Sequence, residues 1–267
     1  MPKIITEDMI EQAAIKALHE RHNYIILNCM TEEPDTLPDG TGRKDKKQVV
    51  LPDVMFESLC RINPDIPTET VRIVVDELCR TPVSGDLMLT NYQNYQKIRN
   101  GITVEYNKNG KKTSNILRLL SYNDALSNTF TVASQMWIKG ETHWRRPDLI
   151  IFINGFPMVF IELKNSNIPV KNAYDINLKN YLKDIPYLFN YNQICVLSNG
   201  METRLGSFAA GYEFFFEWLK VENEKENPDR KAIRENCTSL EYFIAGLCEP
   251  KNLLDYIENF ILYDRRR

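Results

Sequence analysis

Arg146-Pro147-Asp148-Leu149-Ile150-Ile151-Phe152-Ile153-Asn154-Gly155-Phe156-Pro157-Met158-Val159-Phe160-Ile161-Glu162-Leu163-Lys164-Asn165 is the stretch from which the rest of the chain is read. Two apolar runs, Leu149–Ile153 and Met158–Ile161, flank an Asn154-Gly155 turn signal. Continuous runs of Ile, Val and Phe suit strands covered on both faces. The turn between them makes an antiparallel hairpin, with Asp148, Glu162 and Lys164 at its open end. Glu162 and Lys164 are two apart and therefore share a face of the strand. A hairpin symmetric about Gly155 sets Asp148 opposite Glu162, with Cβ atoms roughly 5 Å apart. Two carboxylates at that separation repel unless a cation joins them. Lys164 adds positive charge, but a divalent cation with oxygen ligands bridges both more readily. A slip of one residue would turn Asp148 to the other face. The plain alternative is that these charges fray into solvent and bind nothing. Against it, Glu162 directly continues an apolar strand, where an unpaired charge is expensive.

At these residues the chain resembles a known family. Pro147-Asp148 followed by Glu162-Leu163-Lys164 is similar to the PD-(D/E)xK nuclease core. The longer string Arg146-Pro147-Asp148, Asn154-Gly155-Phe156-Pro157 and Glu162-Leu163-Lys164 resembles one branch more closely, the N-terminal nuclease domain of the restriction (motor) subunit of type I restriction endonucleases. The resemblance implies an α/β fold with a mixed central β-sheet flanked by helices. It also implies Mg2+-dependent hydrolysis of DNA phosphodiesters, with Mn2+ as a substitute. In that reading Asp148, Glu162 and the Leu163 backbone carbonyl hold the metal, Lys164 acts on the nucleophile, and Glu11 contributes through water. The implied partners are double-stranded DNA and the methyltransferase and specificity subunits of the full complex, in the cytoplasm. Two alternatives stay open: a PD-(D/E)xK nuclease acting on structured DNA or RNA, and an inert docking module.

Composition sets the bounds. The chain has 267 residues, is 43% hydrophobic and carries a formal net charge of −3. A sizeable core is affordable, and any nucleic-acid affinity must come from local patches and bound metal. The six cysteines show no CxxC pair, which suits reduced thiols. His19, His22 and His143 form no recognisable ligand set. No apolar run approaches membrane-spanning length.

In chain order, residues 7–21 read as a helix capped by Thr6, with Asn23 as a left-handed terminator and Glu11 beside the apolar stripe. Residues 31–48 read as a mobile loop, whose Arg43, Lys44, Lys46 and Lys47 either meet phosphates or form a solvated cluster diluted by Asp39 and Asp45. A helical insertion spans about 50–100, with helices at 51–61, at 68–80 capped by Thr68, and at 86–99. The period then changes to two. Ile102–Tyr106 and Ile116–Leu120 form a hairpin, Thr129–Ile138 a third strand, and all join one mixed sheet centred on 149–163. Val170–Lys183 reads as a helix carrying Asn177 and Tyr181 one turn apart on one side. The resembled branch places glutamine and tyrosine at this spacing, which makes Asn177 and Tyr181 DNA-contacting or supporting residues. Residues 193–197 and 203–208 read as further strands, completing a nuclease domain over 1–219. Residues 220–267 read as a charged linker and two closing helices leading toward motor domains. No G-x-x-x-x-G-K-[ST] occurs, so ATP would be needed only by motor domains absent from this chain, and the chain reads as an excised or truncated nuclease domain.

Overall fold

A computed structural model of the chain describes residues 4–80, 85–218, 220–221 and 238–264. The charged linker expected over 220–236 lies almost wholly outside them. Among the described residues, the central sheet runs in the order β1 (Ile25–Asn28), β4 (Phe130–Ser134), β7 (Leu149–Ile153), β8 (Phe156–Leu163), β9 (Ile194–Ser198), β10 (Thr203–Gly206), β11 (Phe216–Glu217). β1 with β4 and β8 with β9 are parallel, and the other neighbours are antiparallel. The fold is a mixed α/β sheet flanked by helices, with β8 at its middle. Every residue of β7 and β8 is buried, as continuous apolar runs require.

Side-chain alternation divides the interior in two. Ile151, Ile153, Val159, Ile161 and Leu163 face a core completed by the N-terminal and C-terminal helices. Those helices are α1 (Glu7–His22), α2 (Pro52–Ile62), α3 (Thr68–Leu78), α6 (Ser239–Leu247) and α7 (Pro250–Asn259). Ile150, Phe152 and Phe160 face a second core shared with the helical segment after β8. That segment is π-helical over Ala173–Leu178 and continues as α5 (Lys179–Asp184).

The hairpin register is reached by a different route from the symmetric one. Asn154 and Gly155 both have positive φ, 49° and 82°, the primed-turn geometry that matches strand twist. This two-residue turn pairs Ile153 with Phe156 and Phe152 with Pro157. The register then shifts, leaving Met158 as an extra residue, and the outer pairs are Ile151–Val159, Ile150–Phe160 and Leu149–Ile161. Pro157 has no N–H to give the ladder, so a bulge beside it sacrifices little. The turn itself is buried. Asn154 donates to the Leu119 carbonyl (3.0 Å) and to Asn128 Oδ1 (2.9 Å), and Leu51 N–H donates to the Gly155 carbonyl (2.9 Å).

Three other expectations are corrected. The hairpin of β2 (Ile102–Lys108) and β3 (Lys111–Leu117) forms its own two-stranded sheet outside the central one. Its residues are mostly exposed, so it has no second face to contribute to the core. The strand expected over 129–138 ends at Ser134, because Gln135 takes a positive φ of 55°. Beyond it, β5 (Ile138–Lys139) and β6 (Trp144–Arg145) make a short separate ribbon. Finally, Thr68 begins α3 without a side-chain cap, the cap position being Pro67. In residues 31–48 the basic residues divide. Arg43 and Lys46 turn inward onto the buried Asp39 carboxylate at 2.6 and 2.8 Å, which removes both from any contact with phosphate. Helix α4 (Leu87–Asn100) begins at an Asp86 cap, close to the expected bounds.

Candidate active site at the open end of the hairpin

Three segments meet at the carboxyl end of β8. The first is the hairpin itself. One step beyond the Leu149–Ile161 pair, Asp148 stands across from Glu162, and its Oδ2 accepts the Leu163 N–H at 2.7 Å. Parallel pairing with β9 continues past the strand, with Lys164 N–H donating to the Ser198 carbonyl at 2.8 Å, so the Glu162-Leu163-Lys164 backbone is held from both sides. The second segment is the start of α1. Its chain is tied to the end of β8 by Glu7 N–H to Asn165 Oδ1 (2.9 Å) and by reciprocal bonds between Ile5 and Ser166. This sets Glu7 and Glu11 beside the hairpin. The third is the exit of β4, where Gln135 N–H donates to the Asp148 carbonyl at 3.0 Å. The Gln135 amide spans Glu11 and Asp148, donating to Glu11 Oε2 and lying 3.5 Å from Asp148 Oδ1.

The electrostatics follow from burial. Glu162 is 2% exposed. Loss of solvent pushes its carboxyl up to about 8, and the nearby Asp148 pushes the same way. Lys164 opposes this, its Nζ lying 3.1 Å from Glu162 Oε1 and 2.5 Å from the Leu163 carbonyl. Burial also raises Asp148, against the Leu163 N–H and the Lys164 charge. Glu11 is pushed up to about 7, mainly by burial, with the Gln135 bond pulling down. A cleft of about 260 Å3 opens beside these groups, lined by Glu7, Asp8, Glu11, Ser134, Gln135, Arg146 and Asp148 among others.

Asp148, Glu162 and Lys164 are thus neighbours, with Glu11 joined to them through Gln135. Tyr181 is buried behind Glu162, its ring edge-on to Phe160 (5.3 Å between centroids) and its hydroxyl donating to the Arg146 carbonyl at 3.1 Å. Asn177 is half-buried in the π-helical segment, and its side chain has no hydrogen-bond partner among the described residues. π-Segments widen a helix locally and are frequent at functional sites. Gln135, Glu7 and Arg146 were not marked as site residues by spacing. Gln135 had one local signal, a polar residue directly after an apolar strand; its left-handed backbone had none.

Among the described residues, no three His, Cys, Asp or Glu side chains converge as a metal-binding group. The donors present nevertheless suit an oxygen-preferring cation. Among the described residues Glu162 Oε2 is buried with no hydrogen-bond partner, and a second carboxylate stands across from it. Mg2+ commonly takes one or two carboxylates and completes its shell with water.

A mixed sheet with helices on both faces, with an acidic pair and a lysine at the open end of its central hairpin, defines a restriction-endonuclease-like α/β architecture. The chain belongs to the family described as type I restriction enzyme R protein N terminus, whose sequence model matches residues 4–237. It is 34% identical to the type I restriction enzyme HindI endonuclease subunit of Haemophilus influenzae, over 98% of this chain and 24% of that protein. It is 28% identical to the putative type I restriction enzyme MjaIXP endonuclease subunit of Methanocaldococcus jannaschii, over 99% of this chain and 26% of that protein. A Staphylococcus aureus type I endonuclease subunit, SauCOLORF180P, is 39% identical over 54% of this chain and 15% of its own length. The chain therefore spans about a quarter of the length of the first two of these relatives. It is a nuclease-like domain of a type I R subunit. No helix among the described residues is long and apolar enough to cross a membrane.

Proposed function

We propose that this domain hydrolyses DNA phosphodiester bonds with Mg2+, Mn2+ serving as a substitute. The observation that carries the reading is the buried Glu162 Oε2, without a hydrogen-bond partner among the described residues, opposite Asp148 and beside Lys164. Asp148, Glu162 and the Leu163 carbonyl would hold the ion, with Glu11 acting through water. A bound Mg2+ supplies a water of lowered pKa and offsets charge on the phosphate. Lys164, fixed by Glu162 and the Leu163 carbonyl, would orient the attacking water and donate to a phosphate oxygen as negative charge develops there. Gln135 would keep Glu11 and Asp148 at one spacing through its two amide hydrogens. Tyr181 would brace Arg146 and the floor under Glu162, and Asn177 would contact the DNA from the π-helical shoulder.

Relatives named as endonuclease subunits also support a place in a larger assembly, in which methyltransferase and specificity subunits supply sequence recognition. Supercoiled plasmid incubated with Mg2+, with Mn2+ and with chelator tests the activity. Metal-dependent nicking or linearisation that disappears in Asp148→Ala is expected. Cleavage that persists in chelator or in Asp148→Ala would remove the assignment.

A further inference from the structure

We infer that the ribbon from Trp137 to Arg146 is the DNA-backbone-binding element of this domain, with Arg146 holding a phosphate at the mouth of the cleft and Lys139 meeting the backbone one step further out. This rests on the nuclease reading above and assigns the surface by which its substrate is held.

The ribbon has two unlike faces. Ile138 pairs with Arg145 and Lys139 with Trp144. Ile138 is fully buried, and Arg145 Nε donates to the buried Asp184 carboxylate at 2.7 Å. That face is anchored to α5. Alternation along each strand sends the next residues to the opposite face, and there the pairs are cation on indole. The Lys139 ammonium lies 5.6 Å from the Trp144 ring centre, and the Arg146 guanidinium 4.9 Å from that of Trp137. Neither cation has an ion-pair or hydrogen-bond partner for its side chain among the described residues. Arg43, Lys46, Arg145 and Arg204, by contrast, are each taken up by a carboxylate.

Position gives the pairs a use. Among the described residues, Arg146 is the one cation lining a cleft that also holds the carboxylates of Glu7, Asp8, Glu11 and Asp148. A phosphate approaching this acidic group meets repulsion unless a fixed positive charge stands beside it. Arginine suits the task, because one guanidinium face can rest on an indole while its edge keeps N–H donors for phosphate oxygens. Only Pro147 separates Arg146 from Asp148, so a phosphate held there is next to the proposed metal ligands. The overall charge of −3 gives no general attraction to DNA. Phosphate contacts should therefore be few, and each should count.

Fluorescence anisotropy of a short labelled duplex DNA, in Ca2+ and over a range of KCl, tests the assignment. Arg146→Ala is expected to weaken binding about tenfold and to reduce the slope of log affinity against log salt by about one. Arg146→Lys should keep the slope while losing part of the affinity, since it preserves the charge without the fork. Lys139→Ala should weaken binding about threefold, and Lys111→Ala, on the separate β2–β3 hairpin, should change nothing. A merely structural Arg146 would lower the melting temperature and leave the salt slope alone. Arg146→Ala with wild-type affinity and slope would overturn the inference by itself. Failure of the unaltered chain to bind duplex in Ca2+ would overturn the nuclease reading, and this one with it.

Discussion

Replacing Glu162 with glutamine should make the metal-free protein more stable at alkaline pH. The carboxyl moves from 4.5 when solvated to about 8 in the folded chain, raised first by burial and then by Asp148. Below pH 4.5 it is protonated in both states and imposes no penalty. Between 4.5 and about 8 the unfolded chain releases the proton while the folded chain keeps it, so stability falls as pH rises. Each pH unit in that window removes ~1.4 kcal/mol, giving a ceiling of ~5 kcal/mol above it. Solvent entering from the cleft and movement of Lys164 reduce this, and about 2–3 kcal/mol is expected to be recovered by Glu162→Gln at pH 8. In a chain of this size that is a rise of about 4–6 °C in Tm. Glutamine keeps the volume and can offer an N–H toward Asp148, so no cavity is opened. Thermal unfolding in chelator from pH 5 to pH 8.5 reads the effect. The two proteins should melt together near pH 5 and diverge as pH rises. Glu11, raised only to about 7, leaves some pH dependence in the variant, but the gap should still widen between pH 7 and 8. Added Mn2+ should then stabilise the unaltered protein far more than the variant. Equal melting temperatures at pH 8, with the same pH profile, would refute the picture of Glu162 as a carboxylate confined without its cation.

Gly155→Ala should destabilise the fold by about 2 kcal/mol or more in urea titration, because the turn needs φ of +82° and a Cβ there would lie 2.6 Å from the Leu51 carbonyl and 2.9 Å from Met55 N. Lys164→Ala should reduce plasmid cleavage at least tenfold while leaving calorimetric Mn2+ affinity within a few-fold, whereas Asp148→Ala should lose both. Asn177→Ala and Tyr181→Phe should weaken cleavage about two- to tenfold with Mn2+ affinity unchanged, since neither side chain carries charge. Wild-type cleavage in Asn177→Ala, beside an inactive Glu162→Ala control, would return Asn177 to the ordinary surface.

Much of the site was legible because its signals are local. Alternation set Glu162 and Lys164 on one face, and the apolar stripe of α1 brought Glu11 to its buried edge at 7% exposure. What stayed hidden depends on long-range partners. Arg43 and Lys46 read as surface charge until Asp39 is seen buried between them. The β2–β3 hairpin has the right period for a strand pair, but period does not say which sheet receives it. Gln135 enters the site through a left-handed backbone that no side-chain pattern announces. Of the ribbon following it, only the start fell within the strand expected over 129–138, and its return at Trp144–Arg145 carried no signal, because the reversal between Gly140 and His143 (N–H to carbonyl, 2.9 Å) contains one glycine and no Asn-Gly pair.

The hairpin shows how the same facing pair of carboxylates can be reached through a different register. A turn centred on Gly155 would align Asp148 with Glu162 directly. The two-residue Asn154-Gly155 turn does not, since its Ile153–Phe156 register, continued outward unbroken, brings Asp148 opposite Ile161. Asp148 would then pair with a residue whose side chain belongs to the core on the other face. The extra residue at Met158 moves the outer half of β8 by one position and returns Glu162 to Asp148. Pro157 makes that shift inexpensive, because no ladder bond is available from its nitrogen. The proline in the Phe156-Pro157 step therefore belongs to the alignment of the acidic pair as much as to the turn. The Asn-Gly turn, the proline and the Glu-x-Lys spacing act as one device: the turn sets the tight reversal, the bulge corrects its phase, and the corrected phase brings the two carboxylates to the same face.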